Sequence, residues 1–329
     1  MLQQLAQSSK PFLVIGRAGM DLYADPVGAR TEDAQQFVTA LGGSSANIAV
    51  ALSKFGQRCS LVTCVSDDAV GRFVTNQLRH YGVDTSKVRK VSSDCRTSLA
   101  VVESRVEEHQ SVIYRNNAAD FQMDRADVES IDYSAYRAVI VTGTCLTLEP
   151  SRSATLLALR RAREAGIPCV MDLDYRPYSW ESAGAAKLVY EAALDQLDLI
   201  VGNDDEFGHM AGAYDQGEAY AQALSARGKY AIYKRGELGS RTFGPDSLVI
   251  DTGIFRVTPL KPTGAGDSFL GGLLSALCRG ESLQQAILQG SACAAIVVSR
   301  VGCAPAMPDL EQLENFIQRM DTPEQVSGV

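Results

Sequence analysis

Short apolar segments alternate with amphipathic segments of helical periodicity along most of this chain of 329 residues, and this alternation limits the fold more than any other feature. Patterns typical of buried strands cover residues 12–15, 60–65, 138–142, 169–172, 199–201 and 230–233. Helical patterns cover residues 45–55, 69–81, 151–165, 181–197 and 215–227. Strands and helices in this order are typical of a parallel sheet covered on both faces. The sequence therefore predicts an α/β fold with a doubly wound, mostly parallel sheet flanked by helices.

Two segments, at about 20–41 and 96–117, interrupt this alternation. In the second, residues 98–104 and 111–115 have the pattern of a hairpin around a polar turn. We expect the two segments to form a small β-sheet lid, within a single domain over residues 1–329. A plain edge hairpin or a dimer contact is the alternative, and the lid edge can pair with that of a second copy in a homodimer.

Net charge and the placement of cysteine and histidine exclude several classes of function. A formal net charge of −8 without a basic cluster makes nucleic acid and anionic membrane poor partners. The eight cysteines include no C-x-x-C pair, and the three histidines are too few to suggest a zinc site. The sequence shows no signal-peptide pattern and no apolar run near the ~18 residues that span a bilayer. We therefore expect a cytoplasmic protein.

The segment Thr-Gly-Ala-Gly-Asp-Ser at residues 263–268 precedes an apolar run with helical spacing, so its glycines lie where a loop becomes a helix. The free N–H groups and the dipole of a first helical turn bind phosphate, and Gly264 and Gly266 let the backbone approach it closely. Asp267 in the same turn can take a proton from an attacking hydroxyl. This pattern favours a phosphotransferase, with an ordinary glycine-rich loop as the alternative.

Polar residues also follow the first predicted strand, at the edge where doubly wound sheets bind ligands. Asp21 follows that strand, and Asn47 lies at the start of the first helix, after Gly42 and Gly43. The paired glycines can admit a small ligand, while Asp21 and Asn47 can bind the hydroxyl groups of a polyol. A turn capped by serine explains the same residues.

Charged residues follow three further strands. Arg176 can bind a carboxylate or a phosphate with two parallel hydrogen bonds, or belong to a solvated salt-bridge cluster. Asn203 and Glu206 share one face of a helical turn, where their oxygens suit Mg²⁺ held through water, although helix capping also explains Asn203. The glycines of the segment 234–239 can let the backbone approach a nucleotide, in a chain without a P-loop or dinucleotide-binding motif.

Taken in this order, the segments resemble the motifs of the ribokinase-like, or PfkB, carbohydrate kinases over nearly the full length of the chain. The motifs that carry the resemblance are Gly42-Gly43 with Asn47, Asn203-x-x-Glu206, and residues 263–267. They are similar to the N-terminal motif of the family, to its magnesium and phosphate motif, and to its C-terminal motif. The resemblance implies a central sheet flanked by helices, with a small β-sheet lid.

The resemblance also implies roles for individual residues. ATP and Mg²⁺ are the expected cofactors, with Mg²⁺ held through water by Glu206 and Asn203. Asp267 is the expected base for phosphoryl transfer to a sugar hydroxyl, and the backbone of Gly264, Ala265 and Gly266 is expected to stabilise the transferred group. The residues expected to bind ATP are Asn203, Lys234, Gly236, Gly239, Gly264, Gly266, Ser291 and Ala295.

Within the family, this chain is similar to kinases that phosphorylate the sugar acid 5-dehydro-2-deoxygluconate, on its primary (C6) hydroxyl, in inositol catabolism. The similar segments are residues 15–18, 21–22, 114–115, 174–180 and about 204–207. The carboxylate of a sugar acid needs a cation in a partly desolvated pocket. The candidates are Arg17, Arg115 and Arg176. We rank Arg176 first because it follows a core strand, and Arg115 second because it lies in the lid. The alternatives are a related kinase acting on 2-dehydro-3-deoxygluconate or fructose, and a non-catalytic sugar or nucleotide sensor.

One position departs from the family pattern. Many relatives have Asp-Thr before the Thr or Ser of the C-terminal motif, and that Asp helps to hold a monovalent cation; this chain has Lys261 and Pro262. A monovalent cation is therefore a doubtful cofactor. We hypothesise that the Lys261 ammonium takes over the cation's electrostatic role, so that activity depends little on K⁺. The alternative is a lysine that points to solvent.

Overall fold

The structure, a computed structural model, describes residues 1–92, 94–320 and 323 and places their strands in two β-sheets. The strands are β1 (Phe12–Ile15), β2 (Gly19–Asp25), β3 (Gln36–Gly42), β4 (Cys59–Ser66), β5 (Val88–Val91), β6 (Ser98–Val102), β7 (Ser111–Tyr114), β8 (Ala138–Thr142), β9 (Cys169–Asp172), β10 (Leu199–Asn203), β11 (Tyr230–Lys234), β12 (Ser240–Gly244) and β13 (Leu248–Thr252). The α-helices are α1 (Leu2–Gln7), α2 (Ser44–Lys54), α3 (Ala69–His80), α4 (Arg125–Glu129), α5 (Ser151–Glu164), α6 (Ala183–Leu194), α7 (Asp204–Ala211), α8 (Gly217–Ala226), α9 (Ala265–Cys278), α10 (Leu283–Val298) and α11 (Leu310–Arg319). None of these helices of the described residues has the length and apolar character needed to cross a bilayer.

The main sheet has the strand order β13-β12-β11-β10-β9-β8-β1-β4-β5. The strands from β11 to β5 run parallel, and β12 and β13 extend one edge antiparallel. Every residue of β1 is buried, with Phe12 and Val14 in the core on one face and Leu13 and Ile15 in the core on the other. Helices α2, α3, α9 and α10 cover the first face, and α5 to α8 cover the second. The predicted doubly wound, mostly parallel sheet is therefore confirmed.

The small sheet has the strand order β3-β2-β6-β7. Strand β2 pairs antiparallel with β3 and parallel with β6, while β6 and β7 form the predicted antiparallel hairpin. The inner face, with Tyr23, Ala100 and Val102, packs against Cys303. On the other face Val112 and Tyr114 are 43% and 59% exposed. The small sheet therefore covers the segment around residue 303 with one face and leaves apolar side chains in solvent on the other.

Close packing of α9 against α2 aligns the N-terminal ends of these two helices. Leu270, Leu273 and Leu274 of α9 are fully buried in the core. Gly271 lies directly against Ala51 of α2, so that a Cβ at this position would overlap the alanine methyl. Because the helices approach this closely, Asn47 in the first turn of α2 contacts the first turn of α9.

Candidate active site

A cavity of about 520 Å³, here called the site cavity, lies at the carboxyl ends of β9, β10 and β11, between the small sheet and α9. Most of the residues singled out from the sequence line it. They are Arg17, Asp21, Gly43, Asn47, Arg115, Arg176, Asn203, Glu206, Lys234, Gly236, Gly239, Gly264, Ala265, Gly266, Asp267 and Ser291. Gly42 and Ala295 are not among the lining residues. Gly42 lies behind Asp21, where a Cβ would overlap the carboxylate, and on α10 Ala294 faces the cavity instead of its neighbour.

The first turn of α9 forms one end of the site cavity. Gly264 precedes the helix with φ +83°, a left-handed conformation that suits glycine. The first N–H group of this turn to bond a helix carbonyl is that of Ser268, which donates to the Gly264 carbonyl oxygen at 3.1 Å. The N–H groups of residues 265 to 267 therefore remain available to a ligand. A Cβ at Gly266 would lie 3.2 Å from Lys234 Nζ, so the ammonium stands beside these N–H groups. Backbone donors and an ammonium at one point suit the phosphates of a nucleotide.

Asp267 lies in this turn, and its carboxylate accepts a hydrogen bond from Asn47 Nδ2 at 2.8 Å. Burial raises the pKa of Asp267 to about 8, and the charges of Asp174 and Asp172 act in the same direction. The hydrogen bond from Asn47 and the charge of Arg176 lower this pKa in part. A carboxyl group with a pKa near physiological pH can accept a proton and later release it, which is what a general base requires.

Two further carboxylates, Asp172 and Glu206, lie near the phosphate end of the cavity. Burial raises the pKa of Glu206 to about 7, and the charge of Asp172 adds to this effect. Burial also raises the pKa of Asp172, while the charge of Lys234 lowers it. Two buried carboxylates that repel each other bind a divalent cation favourably, and carboxylate oxygens are the ligands that Mg²⁺ prefers.

Asn203 and Glu206 form a reciprocal cap at the start of α7. Asn203 Oδ1 accepts from the Glu206 N–H, and Glu206 Oε2 accepts from the Asn203 N–H, both at 2.8 Å. Capping and metal binding are therefore compatible, because Glu206 keeps its second oxygen on the cavity side, 3.8 Å from Arg176. In the described ranges, no three His, Cys, Asp or Glu side chains are grouped closely enough to enclose a metal ion. Such a donor set fits Mg²⁺ that keeps several waters.

The opposite end of the cavity carries groups suited to hydroxyls. Asp21 on β2 accepts a hydrogen bond from the Tyr23 hydroxyl at 3.1 Å. Burial raises the pKa of Asp21, while the charge of Arg17 lowers it. Gly43 has φ +96°, and a Cβ there would lie 2.6 Å from the carbonyl oxygen of Arg17, so the backbone before α2 packs tightly under this end. The carboxylate of Asp21 and the amide of Asn47 both line the cavity, and such groups can bind the hydroxyls of a polyol.

The three candidate arginines differ in their partners. Arg115 forms an ion pair with Asp120 and stacks on the Phe121 ring at 4.1 Å. Arg176 forms an ion pair with Asp174 at 2.7 Å. For Arg17, the described residues include no carboxylate within ion-pair distance.

Lys261 lies behind the turn that leads into α9. Its side chain is fully buried, and Nζ donates to the Thr263 carbonyl oxygen at 2.6 Å. Burial lowers the pKa of Lys261, whereas Cys303, Asp21 and Asp267 raise it. The alternative of a lysine that points to solvent is therefore wrong.

Some cavity residues were not singled out as site residues from the sequence. Asp172 and Asp174 were given no individual role, although residue 174 begins one of the segments that resemble the sugar-acid kinases, and both are buried. Their signal was present, since two acids follow a fully apolar strand. Thr144, whose hydroxyl donates to Asp174 at 3.2 Å, and Cys303 carry no such signal.

Residues 10–310 match the pfkB family of carbohydrate kinases. A 5-dehydro-2-deoxygluconokinase of Photobacterium profundum is 39% identical over 319 residues, which cover 95% of this chain and 96% of that protein. A 5-dehydro-2-deoxygluconokinase of Lacticaseibacillus casei is 35% identical over 316 residues, with 95% and 97% of the two chains covered.

Solved structures agree in fold. An aminoimidazole riboside kinase from Salmonella enterica, complexed with aminoimidazole riboside and an ATP analog, superposes with a TM-score of 0.79 at 26% identity. That match covers 93% of this chain and 99% of the other. A fructokinase from Xylella fastidiosa with bound ATP superposes with a TM-score of 0.82 at 24% identity, covering 94% and 99%.

Proposed function

Because this chain belongs to the pfkB family of carbohydrate kinases, we propose that it transfers the γ-phosphoryl group of ATP to the primary C6 hydroxyl of 5-dehydro-2-deoxy-D-gluconate, as a cytoplasmic enzyme of inositol catabolism. The observation that carries this proposal is the position of Asp267. Its carboxylate lies between the phosphate-binding turn of α9 and the hydroxyl-binding end of the cavity, and its pKa is raised to about 8. Relatives with this activity in their names, at 39% and 35% identity, support the choice of substrate.

In the proposed complex, ATP lies along the C-terminal half of the chain. The adenine contacts Gly236, Gly239 and Ser291, with Ala294 rather than the predicted Ala295 on the cavity side of α10. The triphosphate extends to the first turn of α9. Lys234 beside this turn supports that direction, since its ammonium offsets phosphate charge.

Asp267 accepts the proton of the C6 hydroxyl as the hydroxyl oxygen attacks the γ-phosphorus in line with the leaving oxygen. The N–H groups of Ala265, Gly266 and Asp267 offset the charge that develops on the equatorial oxygens. Asn47 holds the Asp267 carboxylate in place through its 2.8 Å hydrogen bond. General-base contributions of this kind amount to about two to four orders of magnitude in kcat.

We propose that Glu206 and Asn203 hold Mg²⁺ through water, with Asp172 as a nearby charge. When bound, Mg²⁺ neutralises part of the phosphate charge. The fit rests on the donor set: hard oxygen ligands, and two buried carboxylates that a cation relieves of mutual repulsion. The buried Lys261 ammonium supplies a fixed positive charge behind the phosphate-binding turn. In the sequence, Lys261 replaces the Asp that helps to hold a monovalent cation in many relatives.

The small sheet is proposed to act as a lid. Its inner residues Tyr23, Ala100, Val102 and Ile113 line the cavity, so closure over the sugar would exclude water and suppress ATP hydrolysis. The exposed Val112 and Tyr114 on its outer face suit an apolar contact with a second copy of the chain, which supports a homodimer through the lid.

A coupled ADP-release assay tests the proposed function. With Mg·ATP, kcat/KM is compared for 5-dehydro-2-deoxygluconate, 2-dehydro-3-deoxygluconate, fructose and ribose at matched concentrations. The expected result is a preference of about a hundredfold or more for the first substrate. Preference for another sugar would replace the substrate and keep the kinase. Binding without turnover on every sugar would support a sensor instead.

A further inference from the structure

We infer that Arg17, rather than Arg176 or Arg115, binds the carboxylate of the sugar substrate. This inference rests on the proposed function, because it assigns the acidic end of the proposed substrate within the same cavity. It also reverses the order that the sequence suggested, in which Arg176 came first.

The charges of the other two arginines are already compensated within the protein. The guanidinium of Arg115 faces Asp120, donates to the Thr144 carbonyl oxygen at 3.2 Å and stacks on Phe121. A substrate carboxylate that used this guanidinium would have to compete with a buried protein carboxylate.

Arg176 is compensated twice, by Asp174 at 2.7 Å and by Glu206 at 3.8 Å. Its charge also lowers the pKa of Asp267, the proposed base. Arg176 therefore lies on the side of the cavity where phosphoryl transfer takes place. The carboxylate and the C6 hydroxyl are at opposite ends of the six-carbon substrate, so the carboxylate belongs away from this side.

Arg17 has the reverse character, because it is a buried cation that forms no ion pair with a carboxylate of the described residues. The residue is only 8% exposed and lines the cavity between β1 and β2. Nε donates to Ser98 Oγ at 2.9 Å, whereas Nη2 is buried and has no hydrogen-bond partner among the described residues. A buried guanidinium in this condition is costly unless a ligand completes its hydrogen bonds.

The surroundings of Arg17 hold this guanidinium in a fixed position. Its backbone carbonyl accepts from the Ala46 N–H at 3.2 Å, which ties it to the start of α2, and Ser98 ties the side chain to β6. Asp21 is the nearby acid, but it accepts from Tyr23 and does not form an ion pair with Arg17. A planar guanidinium whose Nε is hydrogen-bonded and whose Nη2 lacks a partner among the described residues suits a carboxylate.

Direct binding tests this inference independently of turnover. The ligands are 5-dehydro-2-deoxygluconate and its uncharged C1 amide, titrated by calorimetry into wild-type protein and into Arg17→Gln without nucleotide. Wild-type protein is expected to bind the acid about 10- to 100-fold more tightly than the amide, and Arg17→Gln to bind both about equally. Arg17→Lys is expected to keep an intermediate preference for the acid over the amide, because it retains the charge and loses the planar guanidinium that forms two parallel hydrogen bonds.

Arg176→Gln and Arg115→Gln are the matched comparisons, and each is expected to retain the preference for the acid over the amide. A preference that survives in Arg17→Gln, or that disappears in Arg176→Gln instead, would overturn the inference. So would a wild-type protein that binds acid and amide equally. Thermal unfolding of Arg17→Gln identifies a folding defect, in which case Arg17→Lys decides. If the acid binds through Arg17 but is not phosphorylated, the proposed function fails while the assignment of Arg17 stands.

Discussion

Phosphoryl transfer by this enzyme should become about tenfold faster between pH 7 and pH 9. Asp267 has to be ionised to accept the hydroxyl proton, and burial together with Asp174 and Asp172 raises its pKa to about 8. With that pKa, about 0.09 of the carboxyl groups are ionised at pH 7 and about 0.9 at pH 9. The rate therefore increases with pH, and each unit below pH 7 should lower it by a further tenfold.

The assay measures initial rates from pH 6 to pH 10 with the sugar and Mg·ATP both well below their KM values, where the free enzyme determines the profile. Asp174→Asn provides the decisive comparison. After burial, the charge of Asp174 is the largest contribution that raises the pKa of Asp267. Removing it also releases Arg176, whose positive charge lowers the same pKa. The acidic limb of the profile should therefore move to lower pH in this variant.

Asp215→Asn is the control, because it removes one exposed carboxylate that does not line the site cavity. Its profile should coincide with that of the wild type. A wild-type limb below about pH 6, or a limb that moves to higher pH in Asp174→Asn, would refute the reasoning that burial and neighbouring carboxylates set the ionisation of the base.

Three further variants test separate parts of the site. Asp267→Asn should lower kcat by about two to four orders of magnitude with ATP affinity retained; near-normal turnover would exclude Asp267 as the base. The same variant should melt at higher temperature than the wild type at pH 8 and not at pH 4, because a carboxyl group whose pKa is raised by folding loses its stabilising contribution as the pH increases from about 4 to about 8. Glu206→Gln should raise the Mg²⁺ concentration that gives half the maximal rate, whereas the control Asp205→Asn, at an exposed neighbouring residue, should not. In the wild type this Mg²⁺ concentration should also rise below pH 7, because Glu206, with a pKa of about 7, becomes protonated. The wild-type rate should be equal in KCl and in tetramethylammonium chloride. Lys261→Met should lose activity and regain part of it when K⁺ is added. Strong K⁺ activation of the wild type would contradict the proposed role of Lys261.

The sequence was sufficient for the centre of the main sheet because the strands there are buried on both faces. Such strands are continuous apolar runs, and three of them, β1, β8 and β9, have the bounds that the pattern predicts. The family followed from motifs at the ends of these strands, and the pfkB match over residues 10–310 confirms it. Strands β5, β12 and β13 were not predicted. Strands β5 and β13 are half-exposed edge strands without a continuous apolar run, and β12 begins with three polar residues.

The sequence also located most of the site cavity, because the carboxyl ends of parallel strands meet at one edge of the sheet whatever the loops between them. Whether Ala294 or Ala295 faces the cavity depends on the rotation of α10 about its own axis. A helical turn composed of apolar residues does not define that rotation. The sequence also did not reveal the partners of the arginines, because distance along the chain does not determine them. Asp120 is five positions from Arg115, whereas Ser98 is 81 positions from Arg17.

Residue types and their order thus determined the fold, the family and the chemistry expected of Asp267. Only the tertiary structure decided which charges are compensated. It buried Lys261 completely, paired Arg176 with Asp174, and left Arg17 Nη2 without a hydrogen-bond partner among the described residues. The physical reason is that burial and the distances between charges fix both the pKa of a group and its need for a partner, and these distances arise when β2, β6, β9 and α9 come together in space.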